Sequence, residues 1–173
     1  MKIKVIKVGY LETNCYLVIK NNDCLIIDPG DDSDKIINEI GNLNVVGIII
    51  THYHFDHIGA LDVIKDKYNT LVYDINNLEE KEYDINGFKF NVIYTKGHHE
   101  TCITIYFKEE KIMFTGDFLF KESIGRTDLE TGDFDEMKKS LDKIKKYPSD
   151  ITIYPGHGDF SSLSHELEYN YYF

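Results

Sequence analysis

The chain has 173 residues, is 42% hydrophobic and 28% charged, and carries a formal net charge of −11. That length predicts one domain over residues 1–173, large enough to bury a core without disulfide staples. The acidic balance argues against binding along a nucleic-acid backbone, which needs clustered Lys and Arg, and no apolar run approaches the ~20 residues of a membrane span.

Lys2–Val8 alternates as a strand, and the Met1–Asn14 stretch has no apolar segment of signal-peptide length, so a soluble, cytoplasmic protein is expected. Asn14–Lys20 and Cys24–Asp28 read as further strands joined at an Asn21-Asn22 turn, and Asp28-Pro29-Gly30 stops the second. Ser33 is placed to cap a helix over Asp34–Ile40 that Gly41 ends. Val45–Ile50 is a continuous β-branched run, the pattern of a strand buried on both faces. A single helix is then expected to carry Ile58, Leu61, Ile64 and Tyr68. Leu71–Asp74 is a short strand. Asn86-Gly87 is a hairpin turn between Glu82–Ile85 and Phe88–Thr95. Cys102–Phe107 and Lys111–Thr115 form another hairpin around Glu109-Glu110. Gly132-Asp133 leads into a helix over Phe134–Lys146 that stops before Pro148, Ile151–Tyr154 is a buried strand, and the tail from Ser162 is helical. In that tail His165 is expected to face solvent, and Tyr169, Tyr171, Tyr172 and Phe173 to pack inwards. The three cysteines, Cys15, Cys24 and Cys102, form no C-x-x-C pair and fit a reducing compartment. The predicted class is α/β (α+β): two mixed β-sheets packed face to face with helices outside, an αββα sandwich.

The chemistry concentrates in Thr51-His52-Tyr53-His54-Phe55-Asp56-His57. Imidazole and carboxylate are standard ligands for zinc and similar divalent ions, and H-x-H-x-D-H spacing supplies enough donors for two ions. Three more polar clusters follow strands in the same way: Gly97-His98, Gly116-Asp117 and Gly156-His157. Rigid strands that end in tight glycine-containing loops can deliver side chains to one edge of a sandwich. Asp28 is expected to cap a turn or support the site from behind. Arg126 in Gly125-Arg126-Thr127-Asp128 could pair with Asp128 or Asp133, or meet a substrate.

These motifs together resemble the metallo-β-lactamase superfamily, and within it the small glyoxalase II-like (hydroxyacylglutathione hydrolase-like) hydrolases. Thr51–His57 is similar to T-H-x-H-x-D-H, Thr95–His98 to T-P-G-H with Lys96 in place of proline, Phe114–Asp117 to F-T-G-D, and Tyr154–Gly158 to P-G-H-G. Gly125–Leu129, Ser164–Asn170 and Leu11–Val18 resemble the glyoxalase II-like branch.

The resemblance implies that His52, His54 and His98 hold one metal, that Asp56, His57 and His157 hold a second, and that Asp117 bridges them. It implies two divalent ions, zinc foremost with iron or manganese as alternatives, and a bridging hydroxide as nucleophile, oriented by Asp56. Arg126 would bind a small-molecule substrate, a thioester. The chain ends near the place where the catalytic domain of glyoxalase II ends, which leaves the thiol carrier open. The alternative is a persulfide dioxygenase with one iron on His54, His98 and Asp117.

A flavodiiron electron-transfer role is disfavoured because His54 stands where those relatives carry Glu. β-Lactam hydrolysis is disfavoured by the Gly-Arg-Thr-Asp loop and the missing export signal, and RNA processing by the lack of a basic face. The chain departs from the family pattern at His99 and Glu100, which replace Thr-Pro, at Cys102 for Ser and at Asp159 for Pro. His99 rivals His98 as a ligand, and His98 is preferred because it directly follows Gly97. Cys102 is read as a small buried residue.

Overall fold

The computed structural model describes residues Met1–Phe173. The first sheet contains β1 (Lys2–Val8), β2 (Thr13–Lys20), β3 (Asp23–Ile27), β4 (Asn44–Ile49) and β5 (Val72–Tyr73), in that spatial order. The first three strands pair antiparallel, and β4 and β5 add parallel. The second sheet takes β6 (Glu82–Ile85), β7 (Phe88–Tyr94), β8 (Ile103–Phe107) and β9 (Ile112–Gly116). After a small hairpin of β10 (Leu119–Phe120) and β11 (Ser123–Ile124), it adds β12 (Thr152–Pro155) and β13 (Ser161–Ser162). Its spatial order is β13-β12-β9-β8-β7-β6. The β6–β7 turn holds Asn86 and Gly87 at φ 50° and 85°, the double left-handed conformation expected of an Asn-Gly hairpin.

Three apolar clusters account for the layering. Tyr16, Leu25, Ile27 and Ile49 of the first sheet meet Phe88, Phe90, Ile105 and Phe114 of the second. On the first sheet's other face, Leu17, Ile26 and Ile48 pack against Ile36 of α1 (Ser33–Ile40) and Ile64 of α3 (Leu61–Tyr68). On the second sheet's other face, Met113 and Ile153 pack against Met137 and Leu141 of α4 (Phe134–Ile144) and Leu163 of α5 (Leu163–Tyr169). The order is helix, sheet, sheet, helix, as expected. Each fully buried Leu, Ile or Phe here contributes about 1.5–3 kcal/mol of transfer free energy, so the strands are held chiefly by alternation of apolar side chains on two faces.

Some local expectations fail for identifiable reasons. The helix expected through Ile58 and Tyr68 is two helices, α2 (Phe55–Ile58) and α3, broken at Gly59-Ala60. The Asp28-Pro29-Gly30 turn presses into the break: the Ala60 N–H donates to the Pro29 carbonyl at 3.0 Å. A Cβ on Gly59 would lie 2.3 Å from the Gly30 carbonyl oxygen, and one on Gly30 only 1.7 Å from that of Asp56. Only two facing glycines permit this approach. Ser33 lies inside α1 rather than at its cap, because Asp32 occupies the cap position in a left-handed conformation and its carboxylate accepts the Gly9 N–H at 3.0 Å instead. His165 is half-exposed at the start of α5, with its Nε2 2.8 Å from Glu122 Oε1. Of the terminal aromatics, Phe173 packs on the third cluster, but Tyr169, Tyr171 and Tyr172 are exposed, Tyr171 at 91%. No helix is long and apolar enough to cross a membrane.

Candidate metal centre

All seven residues expected to act as ligands meet at one edge of the sandwich. His52, His54, Asp56 and His57 follow β4 of the first sheet, while His98 follows β7, Asp117 follows β9 and His157 follows β12 of the second. The two sheets are joined here by a main-chain bond from the Ile103 N–H to the Thr51 carbonyl, 2.9 Å. Ligand-type atoms fall within 4.8 Å of one another in three overlapping sets: His52, His54 and His98; His52, His57 and Asp117; and Asp56, His57 and His157.

The outer nitrogens of the histidines determine what the inner ones can do. His57 Nδ1 lies 2.9 Å from Asp28 Oδ2, His98 Nδ1 2.8 Å from the Arg126 carbonyl and His157 Nδ1 3.1 Å from the Leu11 carbonyl. These oxygens only accept, so each Nδ1 carries a hydrogen and each Nε2 is the atom left to face inwards, where an ion can take its lone pair. His52 follows the same logic at one remove. The Thr51 hydroxyl donates to Asp28 Oδ2 at 2.6 Å, which leaves its oxygen to accept from His52 Nδ1 at 3.2 Å.

The inner nitrogens crowd together: His54 Nδ1 is 3.1 Å from His52 Nε2 and 2.9 Å from His98 Nε2. A single hydrogen on His54 Nδ1 can answer only one of these two neighbouring nitrogens. His57 Nε2 and Asp117 Oδ1 are buried without a hydrogen-bond partner, although they approach to 3.2 Å. Such a pair is satisfied by a cation between the two atoms, or by a proton that a cation displaces, so the donor set fits divalent metal ions.

The acidities divide the centre in two. Burial, then the neighbouring imidazoles, hold His52 well below the usual range and bring His54 down to about 4, so these two rings stay neutral. Burial alone would also lower His57 and His157, but Asp28 and Asp117 raise the first to about 10, and Asp117 and Asp56 raise the second to about 9. Burial alone would raise Asp117, yet contacts with His157 and His57 hold it well below the carboxylate range. Without a cation these histidines take up protons that metal binding displaces. Asp56 follows the same balance: burial raises it, and His157, His57 and the Thr13 hydroxyl bring it below its ordinary value. Thr13 donates to Asp56 Oδ2 at 2.8 Å.

Glycines allow this density. A Cβ on Gly156 would sit 2.1 Å from Asp117 Oδ1 and 2.7 Å from His57 Cε1, and one on Gly125 would sit 1.8 Å from the Asp117 carbonyl oxygen. Asn14 ties the His157 loop down through its Nδ2, which donates to the Pro155 and Gly158 carbonyls at 3.0 Å each. A cleft of about 230 Å³ opens beside Asp56 and Thr13, walled by Val8, Tyr10, Leu11 and Phe55. A larger groove of about 560 Å³, around Tyr106, Lys143 and Tyr147, contains none of the site residues.

Arg126 differs from the rest. Its guanidinium pairs with both oxygens of Asp128, at 2.7 and 2.8 Å, and its side chain is 62% exposed. Its contact with the centre runs through its backbone carbonyl. His99 stays out of the ligand sets, and Cys102 is a buried free thiol. Asp28 supports the site from behind as expected, but it takes three donors at once, the Thr51 N–H, the Thr51 hydroxyl and His57 Nδ1. Thr13 was not singled out in the sequence; a lone threonine in a strand carries no signal until its partner is known.

A family model described as "Metallo-beta-lactamase superfamily" matches residues 8–76 and 70–157. The "Probable metallo-hydrolase YqgX" of Bacillus subtilis is 30% identical over 98% of the chain and 96% of that protein. The "Hydroxyacylglutathione hydrolase GloC" of Haemophilus influenzae is 28% identical over 98% of the chain and 97% of its own length. Among solved structures, BLEG-1 B3 metallo-beta-lactamase superposes with a TM-score of 0.95 at 29% identity, covering 99% of both chains. TTHA1623 in a di-iron-bound form gives 0.90 at 27% identity, covering 98% of this chain and 100% of its own.

Proposed function

The chain belongs to the metallo-beta-lactamase superfamily, and on that premise we propose that it is a dinuclear metal-dependent hydrolase of small-molecule thioesters. The observation that carries the reading is the convergence of inward-facing imidazole nitrogens on the buried oxygen of Asp117, with His57, His98 and His157 each oriented from behind by an accepting oxygen. His52, His54 and His98 would hold one ion, Asp56, His57 and His157 the other, and Asp117 would face both. Zinc suits this nitrogen and oxygen set, and iron remains a candidate because TTHA1623 is described with two irons. Ions held there would polarise a thioester carbonyl and lower the pKa of a water molecule towards neutrality.

The protein's own groups supply the rest. Asp56, anionic and steadied by Thr13, can accept the proton of an attacking water through the oxygen that Thr13 leaves free. Asp28, Arg126 and Leu11 keep three imidazoles in one tautomer. The cleft walled by Tyr10 and Phe55 offers apolar surface for part of the substrate. Arg126, whose carbonyl holds His98 Nδ1, would on release from Asp128 meet a carboxylate of the thiol half. The thioester preference is supported by the hydroxyacylglutathione hydrolase of Haemophilus influenzae.

Elemental analysis of protein purified without added metal, paired with cleavage of S-lactoylglutathione, tests the proposal. About two ions per chain with thioester turnover supports it, and a metal-loaded protein that cleaves no thioester overturns it. Two further arms separate rival chemistries: oxygen uptake with glutathione persulfide for the one-iron dioxygenase, and nitrocefin hydrolysis for the activity in the name of BLEG-1.

A further inference from the structure

His99 is the one histidine at the centre that is turned away from the ligand sets, and its hydrogen bonds assign it a different task. Its ring centroid lies 4.8 Å from that of His54 and 6.2 Å from that of His52. Its Nδ1 is 2.7 Å from Thr101 Oγ1 and 3.2 Å from the Thr101 backbone nitrogen. The backbone N–H can only donate, so Nδ1 is an acceptor. The Thr101 hydroxyl agrees: its oxygen accepts the Tyr53 N–H at 3.2 Å, which frees its hydrogen for the imidazole. A neutral imidazole with an accepting Nδ1 carries its hydrogen on Nε2. That is the reverse of His57, His98 and His157, which carry a hydrogen on Nδ1 and turn Nε2 towards the centre. Nε2 of His99 has no protein partner, and the residue is half-buried beside His54. The tautomer that suits a metal ligand has thus been exchanged for one that suits a donor, at a position where the resembling family carries threonine.

We propose that His99 is a substrate-binding residue whose fixed Nε2–H donates a hydrogen bond to an oxygen of the substrate's acyl half. The proposal rests on the thioester reading for the identity of that oxygen, while the tautomer and the donor stand on Thr101 and Tyr53. A preorganised donor costs no reorientation when the substrate arrives, and one hydrogen bond is worth about tenfold in binding.

The test uses the metal-loaded protein. Long-range proton–nitrogen NMR is expected to show His99 as the Nε2–H tautomer, and added lactate, the acyl product of S-lactoylglutathione, is expected to shift that resonance. His99→Phe is expected to keep the metal content, raise KM for S-lactoylglutathione about tenfold and change kcat by less than about twofold. His99→Gln, which restores an N–H at similar reach, is expected to recover most of the loss. An Nδ1–H tautomer, a resonance unmoved by lactate, a fall in metal content in His99→Phe, or an unchanged KM would each overturn the proposal. A wild-type protein that cleaves no thioester but shows the lactate shift would sink the thioester reading and leave the donor standing.

Discussion

Asp28→Asn is the sharpest perturbation of the centre because it exchanges one oxygen for an amide nitrogen and changes almost no volume. Asp28 is 1% exposed and takes the Thr51 N–H on Oδ1 at 2.8 Å, with the Thr51 hydroxyl and His57 Nδ1 on Oδ2 at 2.6 and 2.9 Å. An asparagine keeps one acceptor and makes the other group a donor. If its amide nitrogen takes the Oδ2 position, His57 Nδ1 must accept, and the imidazole hydrogen moves to Nε2, where it faces Asp117 and any ion. If the amide flips, it points N–H at N–H of Thr51, and a buried donor is left unpaired at about 1–3 kcal/mol. Loss of such a supporting partner typically weakens metal binding by about 10–100-fold, which is about 1.4–2.7 kcal/mol. The loss should fall first on the ion that His57 would hold, and more weakly on the one assigned to His52, His54 and His98, because Thr51 passes the change on to His52 Nδ1. Competition with a calibrated zinc chelator, read as two stepwise affinities, measures it. Two unchanged affinities in a folded Asp28→Asn protein would refute the tautomer argument, and with it the assignment of His57 as a ligand.

Other outcomes follow from the same geometry. Gly156→Ala puts a methyl 2.1 Å from Asp117 Oδ1, so bound metal measured by elemental analysis should drop to one ion or fewer while the circular dichroism spectrum persists. Glu166 is fully buried and accepts from Glu122 N and Asn170 Nδ2 at 2.8 Å each and from the Ser161 hydroxyl. Glu166→Ala strands these donors, at about 3 kcal/mol in total, and should lower Tm by roughly 6–12 °C by calorimetry. The thiols should be inert: burial pushes Cys24 up to about 12 and moves Cys15 and Cys102 upwards as well. All three should resist a disulfide reagent at pH 8 and react on unfolding. Since the folded values lie above the unfolded ones, their contribution to stability is complete below about pH 9 and declines as the pH rises further, which urea titrations at pH 8 and pH 10 would register.

The ligand positions were legible because strand, glycine and donor sit next to one another in sequence: Ile49 before the His52 cluster, Gly97 before His98, Gly116 before Asp117. Hairpins were legible wherever the turn residues carry their own geometry, as Asn86-Gly87 does. What sequence alone did not reveal depends on who sits opposite. The break between α2 and α3 arises from the Pro29 carbonyl, a partner distant in sequence from Ala60. Two-residue strands such as β10 and β13 are too short to show alternation. Thr13 gains its role only because Asp56 comes to face it, and the tyrosines of the tail looked like packing residues because hydrophobic character says nothing about whether a surface is available to cover them.

The donors for each prospective ion arrive from both sheets of the sandwich, His52 and His54 from one side and His98 from the other, His57 and Asp56 from one side and His157 from the other. A cation bound there acts as a clasp across the seam between layers. Such an ion recognises only the closed sandwich, so its binding free energy adds directly to resistance against layer separation. Stripping it should loosen the edge that carries the chemistry first, while the apolar seam farther down, around Phe88 and Phe90, keeps the layers registered and ready to be refastened.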